Sequence, residues 1–119
     1  MKLTEAEWDV LNILWTGASF SLKEITTALQ EVNGWNKNTV YTYLTRMEKK
    51  GLVTIDRSGT KPYAAAVSKE FCAKKERNEL LDKVYGGAAG DLIAAFLKES
   101  SISSEEKTRL KKMLDDMEV

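Results

Sequence analysis

Between Asn36 and Lys61 the sequence gathers side chains suited to reading or gripping a polyanion. Asn36, Asn38, Thr39, Thr42 and Thr45 offer hydrogen-bonding groups, Tyr41 a phenol, and Lys37, Arg46, Lys49, Arg57 and Lys61 positive charge. Asparagine matches the edge of adenine, arginine that of guanine, and a threonine methyl packs on the thymine methyl, so the assortment suits the major groove of DNA. Charge is segregated to the same stretch. Residues 37–61 carry six bases against two acids, a net +4, whereas residues 1–36 sum to −3 and residues 62–119 to −1, in a chain of net charge zero. The neutral average hides a basic segment of the kind that phosphate binding requires. Each residue also has a plainer reading: Asn36 as a helix N-cap, the threonines as inert surface, Lys49 and Lys50 as complements to a helix C-terminus. Their convergence on one helix face favours DNA.

The inventory also excludes chemistry. Among 119 residues there is no histidine and one cysteine, Cys72. A structural zinc site needs four Cys or His ligands, and Ser-His-Asp or Cys-His catalysis lacks its base. No Gly-rich phosphate loop or turn-held acid pair is present. Neither an enzyme nor a metal or cofactor site is expected. Cys72, beside Phe71, reads as a plain helical cysteine, against the alternative of an interchain or redox role. Trp8, Trp15 and Trp35 read as core packing, and Met113 with Met117 as interface packing. No apolar run approaches the roughly 18 residues of a membrane span, and the N-terminus carries acids where a secretory signal would carry bases, so cytoplasm is the expected location.

The elements that must position these residues follow from caps and periodicity. Thr4 and Glu7 form a capping box for a first helix with Val10, Leu11 and Leu14 on one stripe, ending near Trp15. Ser21 and Glu24 form a second, ahead of Leu22, Ile25, Ala28, Leu29 and Val32 at helical spacing and the stop Asn33-Gly34. A third helix is expected from the cap Asn36 to about Lys50, with Gly51 as its left-handed end. On it Val40, Tyr43, Leu44 and Met47 gather on one side, while Asn38, Thr42, Thr45 and Lys49 point the other way, flanked by Thr39, Tyr41 and Arg46. Then the period changes. Residues 52–57 and 61–67 read as two strands around a Ser58-Gly59 turn, with Pro62 suited to an edge. Three helices and a basic-tipped hairpin make a winged helix-turn-helix over residues 1–68.

Residues 69–119 read as three more helices. The first, capped by Ser68 and stopped at Gly86-Gly87, holds Phe71, Leu80, Leu81, Val84 and Tyr85. The second holds Leu92, Ile93, Phe96 and Leu97; the third, capped by Ser103, holds Leu110, Met113, Leu114 and Met117. Three short helices make a poor core alone, so these stripes are expected to pack against a second copy as a dimer interface. The fold class is thus mostly α with a small β-hairpin wing, plus a C-terminal helical dimerisation region.

In order along nearly the whole chain, Leu3-Thr4-Glu5-Ala6-Glu7-Trp8, Leu14-Trp15, and Trp35-Asn36 followed by Thr39, Val40, Thr42, Leu44, Arg46 and Lys49-Lys50-Gly51 resemble the penicillinase and methicillin-resistance repressors, the BlaI/MecI family. Val84-Tyr85-Gly86-Gly87 and the later Leu92-Ile93 and Phe96-Leu97 match as well. The resemblance implies a homodimeric repressor on a palindromic operator of double-stranded DNA, controlling an antibiotic-resistance (β-lactamase-type) or related stress operon. It also implies release by an inducing signal, through a sensor-linked protease that cuts within the C-terminal helices. There the family commonly has Asn before Phe, whereas this chain has Ala95-Phe96 as the candidate cleavage site. Asn36-Lys37-Asn38-Thr39 stands where Ser-Pro-Lys-Thr is common, and Tyr41 where Gln is frequent, which implies a different operator. The paired Cys-x-Cys of copper-responsive relatives is absent. Two alternatives stand beside this reading: a winged-helix protein-interaction module, and a small-molecule-sensing regulator with a pocket at the dimer interface.

Overall fold

The computed structural model describes residues 2–99 and 101–117. Two reciprocal caps start its first helices. Thr4 Oγ1 accepts from the Glu7 N–H while Glu7 Oε1 accepts from the Thr4 N–H at 2.9 Å, opening α1 (Glu5–Leu14). Ser21 and Glu24 do the same for α2 (Leu22–Val32). In each case two donors left over by the helix geometry are satisfied within the segment itself. Asn36 Oδ1 accepts from the Thr39 N–H at 2.9 Å and starts α3 (Lys37–Lys49).

α3 ends in a Schellman motif. The Gly51 N–H donates to the Glu48 carbonyl at 3.0 Å and the Leu52 N–H to the Met47 carbonyl at 2.9 Å, with Gly51 at φ 78. Leu52 and Met47 are both buried, so the hydrophobic contact that accompanies this motif is present, and it aims the chain into β1 (Val53–Ile55). β1 pairs antiparallel with β2 (Tyr63–Ala65) in the register Val53↔Ala65, Thr54↔Ala64, Ile55↔Tyr63. The strands are shorter than the alternation predicts. Beyond Ile55 one cross-strand bond remains, the Asp56 N–H donating to the Pro62 carbonyl at 2.7 Å, before Asp56 Oδ1 turns the chain by accepting from both the N–H and the hydroxyl of Ser58. On its other edge β2 bridges to Phe20, with N–H···O bonds of 2.8 and 3.1 Å in both directions. Pro62, just ahead of β2, accepts the bond from Asp56 but has no N–H to return to the Asp56 carbonyl, so the ladder goes no further.

The core lies between these elements. Val10, Leu11 and Leu14 of α1, Ile25 and Leu29 of α2, and Val40, Leu44 and Met47 of α3 are all but inaccessible, with Leu52, Val53 and Tyr63 closing one side. Burial of each large side chain contributes about 1.5–3 kcal/mol. Trp15 and Trp35 pack on this cluster, Trp8 meets Trp15 edge-on, and Trp15 Nε1 donates to the Val67 carbonyl at 2.9 Å, tying α1 to the end of the hairpin. Val32 departs from its expected place on the α2 stripe. It is 57% exposed, because α2 ends there and its last turn runs past the core. This is a winged helix-turn-helix.

The chain divides into two compact units, Met1–Glu76 and Arg77–Val119, with α4 (Lys69–Tyr85) passing from one into the other. Ser68 caps α4, accepting from the Phe71 N–H, and Cys72 is buried within the first unit, where burial pushes its thiol pKa up. The second unit continues with α5 (Ala89–Glu99) and α6 (Ser104–Asp116), after Gly86 and Gly87 at positive φ break α4. Among its described residues none is buried. Val84, Phe96 and Met117 are each close to 60% exposed, at 59%, 58% and 58%. Among the described residues, no helix is long and apolar enough to cross a membrane, and no cluster of His, Cys, Asp and Glu is placed to hold a metal ion.

Candidate nucleic-acid interface

α3 turns Val40, Leu44 and Met47 into the core, and that fixes which residues face solvent. Asn38, Tyr41, Thr42, Arg46 and Lys49 are exposed, together with Asn36 and Lys37 at the N-terminal end; Thr39 and Thr45 are half-buried at the edges. The free N–H groups and the dipole of that N-terminal end favour anions. Asn38, Thr39, Thr42, Tyr43 and Arg46 line a shallow concavity on this face.

Hydrogen bonds within the helix sort what these side chains have left to offer. The Thr42 hydroxyl donates to the Asn38 carbonyl at 2.9 Å and the Thr45 hydroxyl to the Tyr41 carbonyl at 3.0 Å. Their protons are spent on the backbone, so each presents a methyl and oxygen lone pairs outward. Asn36 spends its carbonyl oxygen on the cap and keeps its amide N–H groups. The Asn38 side chain enters no bond of this kind among the described residues.

Tyr43 is more than core packing. It is half-buried, its ring stacks on Trp35 with centroids 4.3 Å apart, and the Arg46 guanidinium sits 5.8 Å from its centroid. Trp35 is held in turn, its N–H donating to Asn33 Oδ1 while Asn33 Nδ2 donates to Asp9 Oδ2 of α1. A line of contacts therefore runs from α1 through the α2–α3 turn to an exposed arginine. The i, i+3 spacing of Tyr43 and Arg46 is visible in sequence; the tryptophan behind them is not.

The cations of the basic segment are not equivalent. Lys50 Nζ lies 2.8 Å from Oε2 of Glu7, a buried carboxylate of α1. Burial alone would raise the Glu7 pKa, but the Lys50 ammonium and the Thr4 N–H outweigh it and hold it below the usual carboxylate range. Arg57, in the hairpin loop, makes two parallel bonds of 3.1 Å to Glu48 of α3. These bonds lower the Glu48 pKa and raise that of Arg57. Lys61 reaches Glu24 Oε2 at 3.4 Å. The Glu24 pKa is lowered by the Ser21 backbone N–H first, and by Lys61 as well. Lys37, Arg46 and Lys49 form no ion pair among the described residues. Sequence reasoning placed Arg57 and Lys61 with the other free cations. It missed Glu24 and Glu48 because their partners lie 37 and 9 residues away, across a turn whose shape only the fold determines.

The sequence model of the family described as penicillinase repressor matches residues 3–116. A penicillinase repressor of Staphylococcus aureus is 29% identical over 118 residues, covering 98% of this chain and 94% of that protein. The methicillin resistance regulatory protein MecI of Staphylococcus aureus strain N315 is 29% identical over 117 residues, covering 96% and 94%. Among solved structures, a MarR/EmrR family transcriptional regulator from Acinetobacter sp. ADP1 is similar with a TM-score of 0.44 at 18% identity, over 97% of this chain and 78% of that one.

Proposed function

The chain belongs to the penicillinase repressor family, which consists of transcriptional repressors and not enzymes, and from that premise we propose that it represses as a homodimer bound to a palindromic operator. The observation that carries the reading is the outward face of α3. Asn38, Thr42, Arg46 and Lys49 are exposed there while the opposite face holds the core, which is the arrangement a recognition helix needs in a major groove. Asn38 and Arg46 read bases, the threonine methyls meet thymine methyls, and Lys37, Lys49 and the free N–H groups at the start of α3 position the phosphates. A protein-binding face would carry apolar anchors at its centre instead.

Dimerisation falls to the second unit. Leu80, Ile93, Phe96, Leu97, Met113 and Leu114 are all more than 40% exposed in the single chain, and none of the unit's described residues is buried. A second copy supplies the missing half of that core. The operon is one of antibiotic resistance or a related stress response, and the inducing signal acts by ending dimerisation. A sensor-linked protease cutting at Ala95–Phe96, within α5, would detach Phe96, Leu97 and α6 from the rest of the chain.

The test is a fluorescence-anisotropy titration of a palindromic family-type operator and a scrambled duplex at several salt concentrations. The expected result is preference for the operator, two chains per palindrome, and affinity that falls as salt rises. Equal, weak binding to both duplexes, repeated after selection from random sequences, would overturn the reading.

A further inference from the structure

Both cations of the hairpin wing are already occupied. Arg57 meets Glu48 with two bonds of 3.1 Å, the fork-to-fork geometry that pairs guanidinium and carboxylate best, and Lys61 stands 3.4 Å from Glu24. The acids sit on elements that hold them in place: Glu48 in the last turn of α3, and Glu24 in the capping box of α2. The wing is fixed opposite them by the Phe20–Tyr63 bridge. We propose that Glu48 and Glu24 are counter-charges that hold down DNA affinity, each occupying a wing cation that would otherwise neutralise a phosphate. The inference rests on the DNA-binding reading above.

The physical ground is the counting of charges at a polyanion. DNA affinity and its salt dependence scale with the number of phosphates a protein neutralises. A cation paired with a carboxylate adds no net charge to that number. For Arg57 to move to a phosphate it must leave a bidentate partner, and it leaves an acid facing the DNA. Glu7 and Lys50 differ from these pairs, because Glu7 is buried and its ion pair belongs to the packing of α1 against α3. Glu48 and Glu24 are both at the surface, with side chains 31% and 43% exposed, so substitution there changes charge without opening the core.

The experiment uses the full chain and a labelled duplex lacking operator sequence, titrated between 50 and 200 mM salt. Glu48→Gln and Glu24→Gln keep shape, and glutamine at position 24 still serves the capping box. Each substitution is expected to tighten binding and to steepen the slope of log affinity against log salt by about 0.9 per bound chain, making the gain about three- to fourfold larger at 50 than at 200 mM. The double variant should show twice the change in slope. Glu31→Gln makes the same change of charge on α2, seven residues beyond Glu24, at an exposed acid with no ion pair among the described residues, and should leave the slope as it is. Unchanged or weaker binding by the Glu48 and Glu24 variants would overturn the proposal and make the pairs struts. An equal gain from Glu31→Gln would also overturn it, reducing the effect to net charge. A parent chain that binds no duplex would overturn the DNA reading and the proposal with it, whereas a parent that binds while the variants match it overturns the proposal alone.

Discussion

At the scale of single residues, the exposed face of α3 contains groups of different rank. Arg46 is backed by Tyr43, and Tyr43 by Trp35, so its guanidinium starts from a restricted position and loses less freedom on binding. Arg46→Ala is expected to cost about 1–3 kcal/mol of operator affinity and less on a scrambled duplex. Tyr43→Leu should cost about 0.5–1 kcal/mol on the operator, the worth of an exposed cation–π contact, and almost nothing in the Arg46→Ala background. Tyr43→Phe keeps the ring and should bind like the parent. Equal losses from Tyr43→Leu in both backgrounds would show that the tyrosine acts on folding alone. A second residue-scale effect concerns pH. The Glu7 pKa is lowered in the folded chain, so its ion pair stabilises the fold at neutral pH, and that contribution is lost as pH falls through the folded value. Stability should start to decline near the unfolded glutamate range, at roughly pH 4–5, and Glu7→Gln should flatten that decline in urea melts followed from pH 7 to pH 3.

At the scale of elements, the C-terminus of α3 carries two tasks at once. The Schellman motif at Gly51 satisfies the last carbonyls of α3 and sets the direction of β1, from which the hairpin follows. Gly51 has φ 78, and an added Cβ would meet no atom within 4 Å, so the cost of Gly51→Ala is purely conformational. It should amount to about 1–2 kcal/mol, read from the midpoint shift in urea at unchanged slope. A larger loss, or a change in slope, would mean that the hairpin itself has been redirected. The hairpin is short, with three residues in each strand, and depends on contacts outside its own ladder: the Phe20 bridge, the Trp15–Val67 bond and the pairs to Glu24 and Glu48.

At the scale of the whole molecule, the two units differ in kind. The first closes a core from α1, α2, α3 and the hairpin; the second, from Arg77 onward, has apolar stripes on α4, α5 and α6 with nothing buried beneath them among the described residues. A helical stripe left in water forfeits the contribution that burial would make, and in the homodimer proposed above the second unit would recover it by association. Leu92→Glu or Leu114→Glu is expected to shift sedimentation from dimer to monomer at micromolar concentration and to weaken operator binding at least tenfold, through loss of the second half-site. The first unit should keep its near-ultraviolet tryptophan signal, since Trp8, Trp15 and Trp35 all lie within it. A variant that remains dimeric would move the interface elsewhere.

Much of this was legible in the residues alone, because the information is local. Thr4, Ser21, Asn36 and Ser68 announce helix starts through bonds that span three residues, and Gly51 and Gly86-Gly87 announce ends through a backbone conformation that other residues resist. The inward and outward faces of α3 follow from a fixed angle per residue, so the buried Val40, Leu44 and Met47 and the exposed Asn38, Thr42 and Lys49 were readable. Thr45, expected with the outward set, is instead half-buried, and Arg46, expected at its flank, is exposed. Val32 was misplaced because periodicity describes a helix face and says nothing of how far the core beneath it extends. What only the tertiary structure decided is which charges meet. Glu7 with Lys50, Glu24 with Lys61, and Glu48 with Arg57 are pairs fixed by the crossing of helices and the fold of a hairpin, and ionic attraction acts through space without leaving a spacing in the chain.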